Sequence, residues 1–169
     1  METKTLIAYA SKHGSTHEVA DEVAEILRAG GLDVDVRPAA SVDDVGTYDA
    51  VVIGGALYMG HWHRDARRLL DRMSEELHDR PVFVFGMGPM DLEEKSVEDA
   101  RKQVDRALAK VPDVEPVSVA IFGGVVHRDE LHFPFNHMPE TDARDHEAIR
   151  VWADDIAAVL QAGRAPSRT

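Results

Sequence analysis

The chain has 169 residues, 44% of them hydrophobic and 30% charged, with a formal net charge of −12 and no cysteine. That length suits one domain with a substantial core, and the missing cysteines exclude disulfides, thiolate catalysis, iron–sulfur ligation and cysteine-ligated zinc. The acidic balance opposes general affinity for nucleic acid or anionic membrane, and no apolar run approaches the roughly 20 residues that span a bilayer. Redox chemistry, if present, has to come from a bound cofactor. The acidity fits either a high-salt host or plain solubility. Only Met1 to Lys4 precede the first apolar run, which leaves no room for a signal peptide, so a cytoplasmic location is expected.

Thr5 to Ala10 reads as a buried central strand, and Ser11-Lys12-His13-Gly14-Ser15-Thr16 as a loop turning directly into a helix. Amides at a helix start lack intrahelical partners and carry partial positive charge, so this loop is a candidate anion trap. Ser11, Ser15 and Thr16 add hydroxyl donors, and Gly14 lets the backbone curl closely around a ligand. Lys12 either steadies a phosphate as a point charge or is simply solvated, and His13 either contributes or belongs to the loop surface.

Apolar residues at helical spacing mark a helix from Ser15 to Arg28, stopped by Gly30-Gly31, and Leu32 to Val36 follows as a strand closed by Pro38. Ser41 to Gly46 is a short turned segment packed through Val42 and Val45. Ala50 to Ile53 enters Gly54-Gly55 as a strand buried on both faces, and its exit from Ala56 to His63 carries more large side chains than a plain connector needs. A helix follows from Arg64 to Leu77, then a strand from Val82 to Phe85, a loop from Gly86 to Asp91 and a helix through Val111. The fifth strand, Val117 to Phe122, leads into Gly123-Gly124 and a stretch to Thr141 without clean periodicity. Thr141 or Asp142 is expected to cap the last helix, and a polar tail is expected from 163 to 169, leaving 1–162 as the domain.

Five apolar strands separated mostly by helices call for a parallel sheet covered on both faces, with ligands at the carboxyl ends of the strands. The dinucleotide pattern G-x-G-x-x-G and the nucleotide pattern G-x-x-x-x-G-K-[ST] are both absent from the first loop. His61 and His63 form an H-x-H pair that formally allows a metal, but spacing supplies no third ligand, so no metal site is expected. His127, His132 and His137 are read either as surface histidines or, with Phe133 and Phe135, as a lid or substrate-facing segment.

Taken together, residues 5–16, the unit from Tyr48 to His63, Gly123-Gly124 and Thr141-Asp142 resemble the flavodoxin superfamily. The likeness runs over nearly the whole chain and is nearest the single-domain branch that includes the menaquinone-dependent protoporphyrinogen dehydrogenases of bacteria. The resemblance implies an α/β flavodoxin-like three-layer sandwich with a five-stranded parallel sheet in the order 2-1-3-4-5. It also implies flavin mononucleotide (FMN), with the phosphate on Ser11, Lys12, His13, Gly14, Ser15 and Thr16. Ala56, Leu57, Tyr58, Met59, Gly60 and His61 would flank the isoalloxazine with Met87 and Gly88, and the loop at Gly124 would close over it. Tyr58, Met59 and Trp62 are either stacking groups for the ring or packing on the sheet edge or a partner. Many flavodoxins carry an aromatic shield in the loop where this chain offers Met87 and Met90, which leaves one face of the ring open.

Flavin chemistry needs positioning more than a protein nucleophile, and no catalytic residue stands out. Three functions remain open at this level. One is an FMN-binding redox protein passing electrons between a soluble partner protein or organic substrate and an acceptor. Another is a protoporphyrinogen dehydrogenase-type oxidoreductase, against which the short acidic connection from Met87 to Glu98 weighs. The last is a flavin-free module working through protein contacts.

Overall fold

A computed structural model describes residues 3–11, 14–88, 91–126, 141–142 and 144–163. Its strands are β1 (Lys4–Ala10), β2 (Asp33–Pro38), β3 (Ala50–Tyr58), β4 (His61–Trp62), β5 (Val82–Met87), β6 (Ser118–Phe122), β7 (Val125–Val126) and β8 (Thr141–Asp142). The helices are α1 (Ser15–Ala29), α2 (Arg64–Arg72), α3 (Ser74–His78), α4 (Glu94–Leu108) and α5 (His146–Ala162), with a 3-10 turn at Ala39–Ser41. Five strands pair in parallel in the order β2-β1-β3-β5-β6, β4 adds to β3 antiparallel, and β7 pairs with β8 separately. Counting only the parallel strands, this is the 2-1-3-4-5 order and three-layer sandwich that the resemblance implies.

Alternation along the central strands builds two cores. Leu6, Ala8, Val51, Ile53 and Val84 point to α2, α3 and α4, whereas Ile7, Val52, Phe83 and Phe85 point to α1 and α5. The central strands β1, β3 and β5 are largely buried on both faces, which is why their apolar runs show no polar alternation.

The two glycines near the end of β3 are packing residues. Gly54 lies opposite Phe85, where an added Cβ would stand 2.0 Å from the Phe85 ring, and Phe85 packs on Phe122 and Trp152 at centroid distances of 5.8 and 5.7 Å. Gly55 makes room on the other face for Trp62, whose indole nitrogen would be 2.6 Å from a Cβ there.

Several elements differ from expectation. The Ala56–His63 exit is no open loop, because β3 continues to Tyr58 and turns back through Met59 and Gly60 into β4. Both turn residues have positive φ, 53° and 82°, as a two-residue hairpin of the I′ kind requires. The helix expected from Arg64 to Leu77 breaks at Met73, although Met73 N–H still donates to Leu69 O and Leu77 N–H to Met73 O across the break. α5 is capped by Asp145, whose side chain accepts from Ala148 N–H, because the β7–β8 pairing holds Thr141 and Asp142 extended. The expected roles of 127–140 and of the tail from 164 lie outside the described residues.

Candidate functional site

β1 delivers the chain to the carboxyl edge of the sheet at Ser11, and α1 begins at Ser15. Between them Gly14 sits in the left-handed region at φ 87°, with no atom of the described residues within 4 Å of where a Cβ would stand. Its N–H donates to Ser11 Oγ at 2.9 Å, and its carbonyl accepts the first helical bond, from Glu18 N–H at 3.1 Å. Gly14 offers no side-chain cap, so the first-turn amides of Ser15, Thr16 and His17 face outward with no intrahelical acceptor. Thr16 is 0% exposed, and its Oγ1 has no hydrogen-bond partner among the described residues. Lys12 and His13 lie outside the described residues.

Two contacts flank this helix start. Tyr9 and His17 stack with centroids 4.2 Å apart and planes 3° from parallel, and His17 Nε2 lies 3.4 Å from Asp21. Arg144, on the approach to α5, donates through Nη1 to Glu18 Oε2. Sequence reasoning missed Arg144, since nothing local signals a contact across 126 positions.

The β3–β4 hairpin forms a second wall. Ala56 and Leu57 are half-buried, whereas Tyr58 and Met59 are 44% and 67% exposed and Gly60 and His61 also face out. His63 N–H closes the hairpin on Ala56 O at 2.8 Å. The stacking role considered for Trp62 is corrected: the residue is 1% exposed, and its Nε1 donates to Gly55 O at 3.1 Å and Phe85 O at 3.3 Å. A large ring beside two glycines fills the space that they leave, which a linear reading of the loop does not show.

His61 and His63 do not act as a pair either. His61 is exposed on the hairpin, while His63 Nδ1 accepts from Asp65 N–H at 3.0 Å and caps α2. Among the described residues no group of three His, Asp or Glu is placed to hold a metal. Burial holds the His63 imidazole below its ordinary value, against the upward pull of Asp65. A base depressed in the native state stabilises the fold fully above the unfolded pKa, about 6.5, and that contribution is lost as pH falls through the lower native value. Thermal unfolding followed against pH is therefore expected to show a loss of stability on acidification below about 6.5, flattened in His63→Asn, which caps without titrating.

The third wall comes from β5 and β6. Met87 is the last residue of β5 and only 2% exposed, so its side chain belongs to the core and only its backbone reaches the edge. Gly88 packs on Leu57, where a Cβ would be 2.7 Å away, and its N–H donates to Phe122 O at 3.2 Å. Gly124 packs directly on Gly88, a Cβ there falling 3.0 Å from Gly88 Cα. Leu57, Gly88 and Gly124, expected on three separate loops, are thus brought into a contiguous row. Pro89 and Met90 lie outside the described residues. A cleft of about 300 Å³ opens beside this row, lined by Leu57 to Gly60, Gly88, Ser96, Ala100 and Gln103. Ser96 and Gln103 were not anticipated, because on α4 they read as ordinary polar positions.

The flavodoxin domain family matches residues 6–138. The chain belongs to that family. Among curated relatives, the protoporphyrinogen IX dehydrogenase (quinone) of Escherichia coli K12 is 30% identical over 86 residues, covering 50% of this chain and 48% of that protein. The chain thus spans about half the length of the curated relatives it matches. Of solved structures, flavodoxin 2 of Bacillus cereus, in its oxidised form, superposes with a TM-score of 0.62 at 25% identity over 94% of this chain and 99% of that one. A single-site variant of the Pseudomonas aeruginosa flavodoxin gives 0.62 at 21% identity, over 94% and 99%. Within this flavodoxin domain the helix start, the hairpin and the Gly88–Gly124 row all lie at the carboxyl end of the sheet, and no described helix is long and apolar enough to cross a membrane.

Proposed function

We propose that this flavodoxin-domain chain binds FMN and works as an electron-transfer protein, with the phosphate held on the loop from Ser11 to Thr16. The observation that carries this reading is Thr16 Oγ1, one of two buried hydroxyls without a hydrogen-bond partner among the described residues; the other, Thr5 Oγ1, lies within β1, whereas Thr16 lies in the first turn of a helix that lacks a side-chain cap. Leaving such a group unsatisfied costs roughly 1–3 kcal/mol, which an anion with several acceptor oxygens offsets. The outward amides of Ser15, Thr16 and His17, the Ser15 hydroxyl and the space that the described residues leave above Gly14 fit a phosphate with neutral donors alone.

FMN, when bound, supplies a ring that takes up and gives back electrons. The chain's own part is to bind, orient and shield. The amides and hydroxyls of the loop fix the phosphate, and the Ala56–His61 hairpin with the backbones of Met87, Gly88 and Gly124 borders the ring. Tyr58 and Met59 keep water from one side of it.

Exposed Asp91, Glu93, Glu94 and Glu98, against the single exposed Lys95, flank exposed Leu92 along the chain at the start of α4, the helix that contacts β4 of the hairpin, which supports a soluble partner of basic charge and a salt-sensitive encounter. A second reading, oxidation of an organic substrate of the protoporphyrinogen kind with electrons passed to a quinone, draws on the Escherichia coli relative and on the cleft beside the hairpin. Anaerobic mixing of the flavin-loaded protein with such a substrate separates the two, since a carrier gives no turnover above the flavin-free control.

Titration with FMN and with riboflavin, followed by quenching of flavin fluorescence, tests the core of the proposal. FMN is expected to bind about 100-fold more tightly, the worth of two charge-assisted hydrogen bonds. Absence of FMN binding at micromolar concentrations would sink it. Thr16→Val gives a sharper result, because removing an orphaned hydroxyl helps the ligand-free protein and harms the complex. Its melting temperature without ligand is expected to hold or rise by about 2–4 °C, while FMN affinity falls about 10-fold.

A further inference from the structure

The outer face of α1 is a poor neighbour for an anion. Glu18, Asp21 and Glu22 all lie within its first eight residues, and Glu18 follows Ser15 by three positions, about 4.5 Å along the axis. A carboxylate that close to the helix start opposes the partial positive charge of the amides and repels a dianionic phosphate.

The segment ahead of α5 answers this charge. Arg144 donates to Glu18, and His146 Nδ1 lies 3.0 Å from Glu22, one helical turn further on. The spacing matches physically: two residues of extended backbone advance about 6.6 Å and four residues of helix about 6.0 Å, so alternate side chains of 144–146 meet successive turns of α1. Asp145, between them, is extended at φ −111° and ψ 98° and turns the other way to cap α5. Arg144 is only 16% exposed although Glu18 is 65% exposed, so the guanidinium is tucked against the protein and held in place.

We propose that Arg144 is a specificity-determining positioning residue which, by neutralising Glu18, lets an acidic helix accept a phosphorylated flavin and prefer it to an unphosphorylated one. The proposal rests on the phosphate placement given above. Arg144 acts through Glu18 and through the local field, without touching the ring.

The experiment compares wild type, Arg144→Gln, Glu18→Gln and the double variant, with dissociation constants for FMN and riboflavin measured by fluorescence quenching at low salt and at 1 M salt. Arg144→Gln is expected to weaken FMN about 10-fold at low salt, with much less effect at 1 M, where screening acts within about 3 Å. Riboflavin affinity should stay unchanged. Glu18→Gln, a near-isosteric change at an exposed position, should tighten FMN about 3-fold or more without affecting riboflavin, and the double variant should return near wild type.

A merely structural tie between α5 and α1 predicts something else: equal loss for both ligands and no rescue by Glu18→Gln. Either of those results overturns the proposal, as does an unchanged FMN constant in Glu18→Gln. A wild-type protein that binds FMN no better than riboflavin removes the phosphate placement itself and the role of Arg144 with it. Wild-type preference for FMN with an inert Arg144 removes only the latter.

Discussion

Ser15→Glu is expected to lower FMN affinity by about 100-fold or more while leaving the protein at least as stable as wild type. Ser15 is the first residue of α1 and only partly exposed, so a carboxylate there projects into the space where the outward amides converge. A unit charge about 5 Å from a dianion is repelled by about 2 kcal/mol at the dielectric of water and about 7 kcal/mol at an effective value of 20, which brackets the estimate. The same carboxylate stabilises the helix through its dipole, by roughly 0.3–1 kcal/mol. Opposite signs for binding and stability separate a specific effect on the phosphate from general damage. Calorimetric titration with FMN and thermal unfolding of the ligand-free protein give the two readings, and undiminished FMN affinity would show that the phosphate lies elsewhere.

Gly54→Ala is expected to destabilise the fold by about 3 kcal/mol, the upper end of the usual cost of overpacking. The new methyl would fall 2.0, 2.2 and 2.5 Å from Cζ, Cε1 and Cε2 of Phe85, over the middle of the ring's outer edge. Phe85 has nowhere to go, being 0% exposed and packed against Phe122 and Trp152. For a domain of this size the loss corresponds to about 10 °C in melting temperature. Gly54→Ala combined with Phe85→Leu should recover part of it, because the shorter side chain vacates the space that the methyl needs. A single variant that melts within about 2 °C of wild type would mean that the ring tilts away at little cost.

Much of the fold was legible from residues in order. Thr5 to Ala10 and Ala50 to Ile53 read as buried strands, and Val82 to Phe85 as a strand, because strands covered on both faces have no polar alternation. α1 was legible through Val19, Val23 and Leu27 at helical spacing, and its start through the hydroxyls and glycine before it. Harder to see was the Ala56–His63 exit. Its large side chains looked like a loop waiting for a ligand, whereas Trp62 belongs to the core and Met59-Gly60 is a tight turn. Hydrophobicity alone does not say which side of a backbone a ring will take. Met87 posed the same ambiguity, since a residue at a strand end reads equally as core or as loop. The cap on α5 was misplaced by three or four residues because Thr141 and Asp142 have cap chemistry, while their pairing in β8 depends on a partner strand distant in the chain.

The sequence by itself determined the parts that depend on near neighbours: the strand and helix runs, the small-residue turn from Ser11 to Thr16, and the exclusion of thiol chemistry by the absence of cysteine. Tertiary structure decided which glycines carry rings, bringing Phe85 over Gly54 and Trp62 over Gly55. It also decided that Leu57, Gly88 and Gly124 form one row, and that Arg144 meets Glu18. The division has a physical cause. Backbone conformation and periodic burial are set by the residues a few positions away, but which side chain fills a space, or cancels a charge, is set by whichever strand or helix the register brings alongside.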